Sequence, residues 1–165
     1  MNRRRERYVD CRSQVQRDLR EIDQIILSAE DAEDALVRAY LYHFSVVRLS
    51  GFLEKSVEAI LRGYLEHHTS HRVLKFAGRQ LSRLPNMTPE KMEQLVGSFD
   101  DDWRNEFSEF LGRDERRQTL GNLIAARHNL AHGGASKVSG TLLHEYYAIS
   151  QDTVSFLLER FHPRP

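Results

Sequence analysis

Apolar residues recur along this chain at intervals of three and four and never in sustained alternation, so the pattern predicts helices joined by short turns and an all-α fold. Tyr8, Cys11, Val15, Leu19, Ile22 and Ile26 mark a first amphipathic helix with a charged outer face, ending near residues 28–31. From Asp31 to about His67 runs a long pattern in which Leu36, Tyr40, His43, Val47, Ser50, Glu54, Val57, Leu61 and Tyr64 share a stripe. This is the expected central helix, with Ser50-Gly51 as the place for a bend. His67 to Leu84 reads as a shorter helix carrying Arg72, Lys75, Arg79 and Arg83, closed by Leu84-Pro85-Asn86. Thr88-Pro89-Glu90-Lys91 then opens another: a capping hydroxyl, a proline at the first helical position and a carboxylate suited to the helix dipole. Phe99 to Phe110 is acidic and aromatic and reads as a short helix laying its rings on the bundle. Gly112 separates it from a helix over 113–132, and Leu143, Tyr146, Tyr147, Val154, Leu157, Leu158 and Phe161 draw the last one.

The 165 residues are expected to form one domain, with 1–30 as an N-terminal helix or arm and 31–161 as the core. Twenty-four basic residues balance twenty-four acidic ones, which excludes a protein that coats nucleic acid by bulk charge; any contact with a polyanion must be local. The single cysteine, Cys11, excludes an intramolecular disulfide and fits a reducing compartment. With no apolar run long enough to span a bilayer and a charged beginning, Met-Asn-Arg-Arg-Arg-Glu-Arg, the expectation is a cytoplasmic protein that does not engage membranes.

Chemistry concentrates at Ala126-Arg127-His128-Asn129-Leu130-Ala131-His132-Gly133-Gly134. Leu120, Leu123 and Ile124 lie seven, four and three residues before Arg127, so its guanidinium leaves the helix from an apolar stripe and needs a carboxylate, a carbonyl or a bound anion. The paired glycines are the expected helix stop and put His132 at its C-terminal edge. Glu54, set among Val47, Ser50, Val57 and Leu61, is the second irregularity, and a pair with Arg127 would fix the guanidinium's direction. The same pair without chemistry would only set helix register. His128 and His132, like His67 and His71, stand four apart as zinc ligands can, but neither pair has an evident third ligand, and neither a metal nor another cofactor is expected.

The segment Arg127-His128-Asn129-Leu130-Ala131-His132 resembles the HEPN superfamily (higher eukaryotes and prokaryotes nucleotide-binding), whose ribonuclease members carry an arginine, an adjacent Asn, Asp or His, and a histidine four to six residues on. Leu53-Glu54-Lys55-Ser56 in the long helix and the pair Tyr146-Tyr147 in the last one are similar to the RiboL-PSP-HEPN branch. Arg62 and His67 repeat the spacing without a polar neighbour or a glycine stop and are read as coincidence. The resemblance implies a HEPN-like helical bundle with a long central helix and short accessory helices. It also implies a metal-independent endoribonuclease in which the RNA 2′-hydroxyl attacks its neighbouring phosphate, leaving a 2′,3′-cyclic phosphate and a 5′-hydroxyl. His132 would move protons and Arg127 would face the developing phosphorane charge, with His128, Asn129 and Glu54 in support. Arg113, Arg116 and Arg117, and separately Arg72, Lys75, Arg79 and Arg83, are candidate phosphate contacts at the rim of the cleft. Five residues turn an ideal helix by about 500°, leaving Arg127 and His132 roughly 140° apart, so the implied site is composite and built by a homodimer. A toxin or defence effector with an antitoxin protein is the setting the resemblance brings; a non-catalytic module that dimerises or binds a nucleotide or a partner is the alternative.

Overall fold

The computed structural model describes the backbone of residues 3–81, 86–134 and 137–163, with side chains from residue 12 onward. The expected roles of Tyr8, Cys11, Arg83, Leu84 and Pro85 fall outside the described parts. Seven helices and no strand occur among the described residues: α1 (Arg3–Glu30), α2 (Ala35–His68), α3 (His71–Leu81), α4 (Pro89–Gly97), α5 (Asp101–Gly112), α6 (Arg116–Ala131) and α7 (Gly140–Phe161). The all-α expectation holds, and the starts of four elements have a plain chemical cause. Asp34, Asp100, Thr88 and Ser139 accept hydrogen bonds from backbone N–H groups of the first turns of α2, α5, α4 and α7. α2 runs unbroken through Ser50-Gly51, and Thr69-Ser70, rather than His67, marks the break before α3.

α2 is the axis on which α1, α3, α6 and α7 pack, and its orientation corrects the sequence expectation. Val46, Leu49, Phe52, Leu53, Val57, Ile60 and Leu61 are the apolar residues it buries. The core face is centred about 90° round the helix from the stripe read off the sequence. Leu36 and Tyr40, assigned to that stripe, are 62% and 64% exposed, and Val37, Phe44 and Val47 are also solvent-facing. α2 is apolar on more than one face, so periodicity alone does not choose between them.

Phe161 anchors the other end of the core, with Tyr64, Phe99 and Trp103 arranged edge-to-face around it at centroid distances of 5.0–5.4 Å. Arg12 of α1 closes α7 by donating to the carbonyl of His162 at 2.6 Å and pairing with Glu159 at 2.9 Å. His162 itself is buried, with Nε2 2.7 Å from the Ile60 carbonyl, so the neutral ring donates that proton. Burial pushes its pKa below the ordinary 6.5, against the pull of the Ile60 carbonyl and with help from the nearby His67, Arg12 and His68. As pH falls, the unfolded chain therefore takes up this proton before the folded one. The contribution is complete above 6.5 and is lost as pH drops below that value. The urea midpoint is accordingly expected to be lower at about pH 5.5 than at about pH 7.5, with a smaller gap in His162→Gln. An equal gap in both proteins would show that His162 does not carry the effect.

Candidate functional site at the end of α6

α6 delivers the polar end of its sequence by burying the apolar part. Leu120, Leu123, Ile124 and Ala126 are enclosed, which fixes the rotation of the helix against α2 and α7. Arg127 follows them at the edge of the core and is half-buried, in keeping with its place behind the leucines. Its Nη1 donates to Asn86 Oδ1 at 3.2 Å. Asn86 lies just ahead of α4 with φ of 49°, a left-handed conformation that asparagine tolerates better than most residues. The sequence marks Pro85-Asn86 as a turn, but nothing in it signals that this amide meets an arginine 41 residues later.

The expected partner is different. No hydrogen bond or ion pair joins Glu54 to Arg127 among the described residues, and the cause is the rotation of α2. Glu54 falls in line with Leu36, Tyr40 and Val47 rather than with Leu53, Val57 and Ile60, so it sits half-buried at the margin, where water can serve it.

The helix stop has the geometry that paired glycines favour. Gly133 has φ of +75°, its N–H reaches the Leu130 carbonyl at 3.2 Å, and the Gly134 N–H reaches that of Asn129 at 2.8 Å. These are the paired bonds of a Schellman end, with His132 as the capping residue. His132 keeps near-helical angles, φ of −97° and ψ of 13°, and its own N–H still bonds the carbonyls of His128 and Asn129 at 3.2 and 3.3 Å. Its imidazole is exposed and lies edge-on to that of His128, with ring centroids 4.4 Å apart. The structure thus brings His128 and His132 together and turns Arg127 toward α4. Asn129 is exposed beside them.

Arg113, Arg116 and Arg117, suggested as phosphate contacts, lie elsewhere. Arg117 is about 15 Å along the axis from Arg127 and forks onto Glu93, one bond being 3.0 Å, with Glu90 at 3.8 Å. The hydrogen bond from Arg117 holds the Glu93 carboxyl below its usual range although burial opposes this, so the pair ties α4 to α6. Arg116 stacks over Phe110 at 4.4 Å and approaches Asp114 and Asp152, and Arg113 approaches Glu109 at 4.0 Å. These groups are matched by acidic neighbours at the far end of α6. Tyr146 packs inside, and Tyr147 lies near α1, where burial and the charge of Asp23 raise its pKa; among the described residues no hydrogen bond or ring contact joins either to Arg127, His128 or His132.

A long helix thus carries the bundle, and an arginine, an adjacent histidine and a capping histidine end a second one. The RiboL-PSP-HEPN family model matches residues 13–161, and the chain belongs to that family. No curated protein and no solved structure matches it significantly. Membership supports a nucleotide- or RNA-related role, in a superfamily whose domains often bind RNA and dimerise. Among the described residues no helix is long and apolar enough to cross a membrane.

Proposed function

We propose that this chain is a metal-independent endoribonuclease. The 2′-hydroxyl oxygen of RNA bonds to the adjacent phosphorus and the bond from phosphorus to the 5′-oxygen breaks. The hydroxyl's proton leaves to a base and the departing 5′-oxygen gains one, giving a 2′,3′-cyclic phosphate and a 5′-hydroxyl. The observation that carries this reading is the rigid end of α6, which presents the exposed imidazole of His132 beside that of His128 and an arginine held by Asn86. His132 moves a proton at the reacting oxygens, His128 and Asn129 orient the phosphate or the ring, and Arg127 faces the charge that builds on the phosphorane.

Arg127 and His132 leave α6 about 140° apart, which favours a site completed by a second copy of the chain. The exposed face of α2 supports that pairing. Leu36, Val37, Tyr40, Phe44 and Val47 fall within about 100° of one another and expose roughly 500 Å² of mostly apolar surface, in the upper part of what monomers leave uncovered. They lie at the end of α2 where Tyr42 meets Gly140 at the start of α7, which is also the end toward which α6 delivers His132. A bacterial toxin or defence effector restrained by an antitoxin protein, acting in the cytoplasm, is the setting this activity suits.

The test is incubation of the purified chain with RNA in excess EDTA. Fragments ending in 2′,3′-cyclic phosphate and beginning with a 5′-hydroxyl are expected. Cleavage that EDTA abolishes, or that leaves 5′-phosphates, would overturn the proposal. Absence of any cleavage would leave Arg127 and Asn86 as a structural tie in a non-catalytic module.

A further inference from the structure

The chain is neutral overall, yet its charge is not evenly spread. From His67 to Pro89 there is no aspartate or glutamate, while the same stretch holds three histidines and four basic residues. α3 occupies the middle of it. Leu74, Ala77, Gly78 and Leu81 face the bundle, and the opposite arc carries, in order round the helix, His71, Lys75, Arg79, Arg72 and Phe76. All five are exposed, and Phe76, 67% exposed, is the most solvent-facing large apolar side chain among those described.

A groove runs along the α2 side of this arc. It is lined by Arg62, His71, Leu74, Lys75, Gly78 and Arg79, with no acidic member. Its volume is about 390 Å³. Arg62 reaches it over Gly78, its guanidinium in contact distance of that residue, while Glu58 steadies it at 2.7 Å from the α2 side. The arginine whose spacing to His67 reads as coincidence is therefore a wall of a cationic groove. Cations on one face, a flat ring at their border and a trough between two helices are the elements that hold a single strand: phosphates follow the charge and a base stacks on the ring. A duplex offers no free base face to Phe76.

Position links this surface to the α6 end. Five residue steps separate Leu81, the last of α3, from Asn86, which bounds their Cα separation at about 18 Å, and Asn86 is the residue bonded to Arg127. We infer that α3 and the groove it forms with α2 are a binding track for single-stranded RNA that leads the strand to the end of α6. The inference rests on the RNA-directed reading above and adds where the strand lies.

Binding and cleavage are separated by using a 2′-O-methylated RNA oligonucleotide, which has no hydroxyl to attack with, and following fluorescence anisotropy over a range of salt concentrations. The double variant Arg72→Ala, Lys75→Ala is expected to weaken binding at least tenfold and to flatten the slope of log K against log salt by about 1.4, near 0.7 for each phosphate that is no longer neutralised. Phe76→Ala is expected to weaken binding between about fivefold and a hundredfold with the slope unchanged. Arg20→Ala, which removes one exposed charge from α1, should do neither. These side chains are exposed, so unchanged circular dichroism is expected in every variant. Wild-type affinity and slope in the double variant would overturn the track. So would a poly-glutamate peptide that binds as tightly as the oligonucleotide and ignores Phe76→Ala, since the face would then suit an acidic protein. Binding with these slopes by a chain that cleaves nothing would uphold the track and remove the nuclease.

Discussion

His132→Ala is expected to lower RNA cleavage by about 10²- to 10⁴-fold, the range over which a positioned proton-transfer group acts, while the melting temperature stays near that of the wild type. The imidazole is exposed and caps α6 through its backbone rather than its ring, so its removal should change stability by no more than about 0.5 kcal/mol. Arg127→Ala should cost about 10²- to 10³-fold in rate and about 1 kcal/mol in stability, because the bond to Asn86 goes with it. Arg127→Lys keeps the charge but loses the planar fork and should recover little. Asn86→Ala separates positioning from chemistry: it removes the same hydrogen bond, and its rate should fall to a value between wild type and Arg127→Ala. Rates that track stability across all four variants would mean that these residues act only through the fold.

Mixing two inactive proteins is expected to restore activity. If Arg127 of one protomer works with His132 of another, random pairing of Arg127→Ala and His132→Ala chains makes half the dimers mixed. One of the two sites in each mixed dimer is then whole, for recovery of about a quarter of the wild-type rate. Sites completed within one chain would recover nothing. The pairing face gives the companion experiment: Tyr40→Glu with Phe44→Glu puts two carboxylates into the exposed apolar face of α2 without touching the core. Sedimentation should then report a monomer that retains its helicity and has lost cleavage by at least tenfold. A cleaving monomer would end the composite site.

How much of the molecule is legible in its sequence differs from element to element. The cap at Thr88 and the glycine stop at Gly133-Gly134 depend on neighbours in sequence, and both can be read in full. The inward rotation of Arg127 can be read because Leu120, Leu123 and Ile124 leave α6 one apolar face. α2 is not legible in the same way, since Leu36, Tyr40, Phe44 and Val47 make a second apolar face as convincing as the buried one. Choosing between them requires knowing where α1, α6 and α7 dock. The difference in Arg127's partner stems from that single rotation, which carries Glu54 to the margin and leaves the guanidinium to Asn86. His162 escapes the sequence for another reason: a histidine just past the last helix gives no periodic signal, and its burial depends on the Ile60 carbonyl of a distant helix.

The left-handed residue at 133 uncouples the end of α6 from the loop beyond it. Both bonds that finish the helix are made by the glycines' own backbone to carbonyls inside it, so the imidazole's footing does not lean on the connection to α7. The part of that connection that does matter serves α7 instead, with Val138 packed on the core and Ser139 capping the helix. Residue 133 is constrained by α6 itself, because any side chain at φ of +75° strains the turn that holds the ring in place.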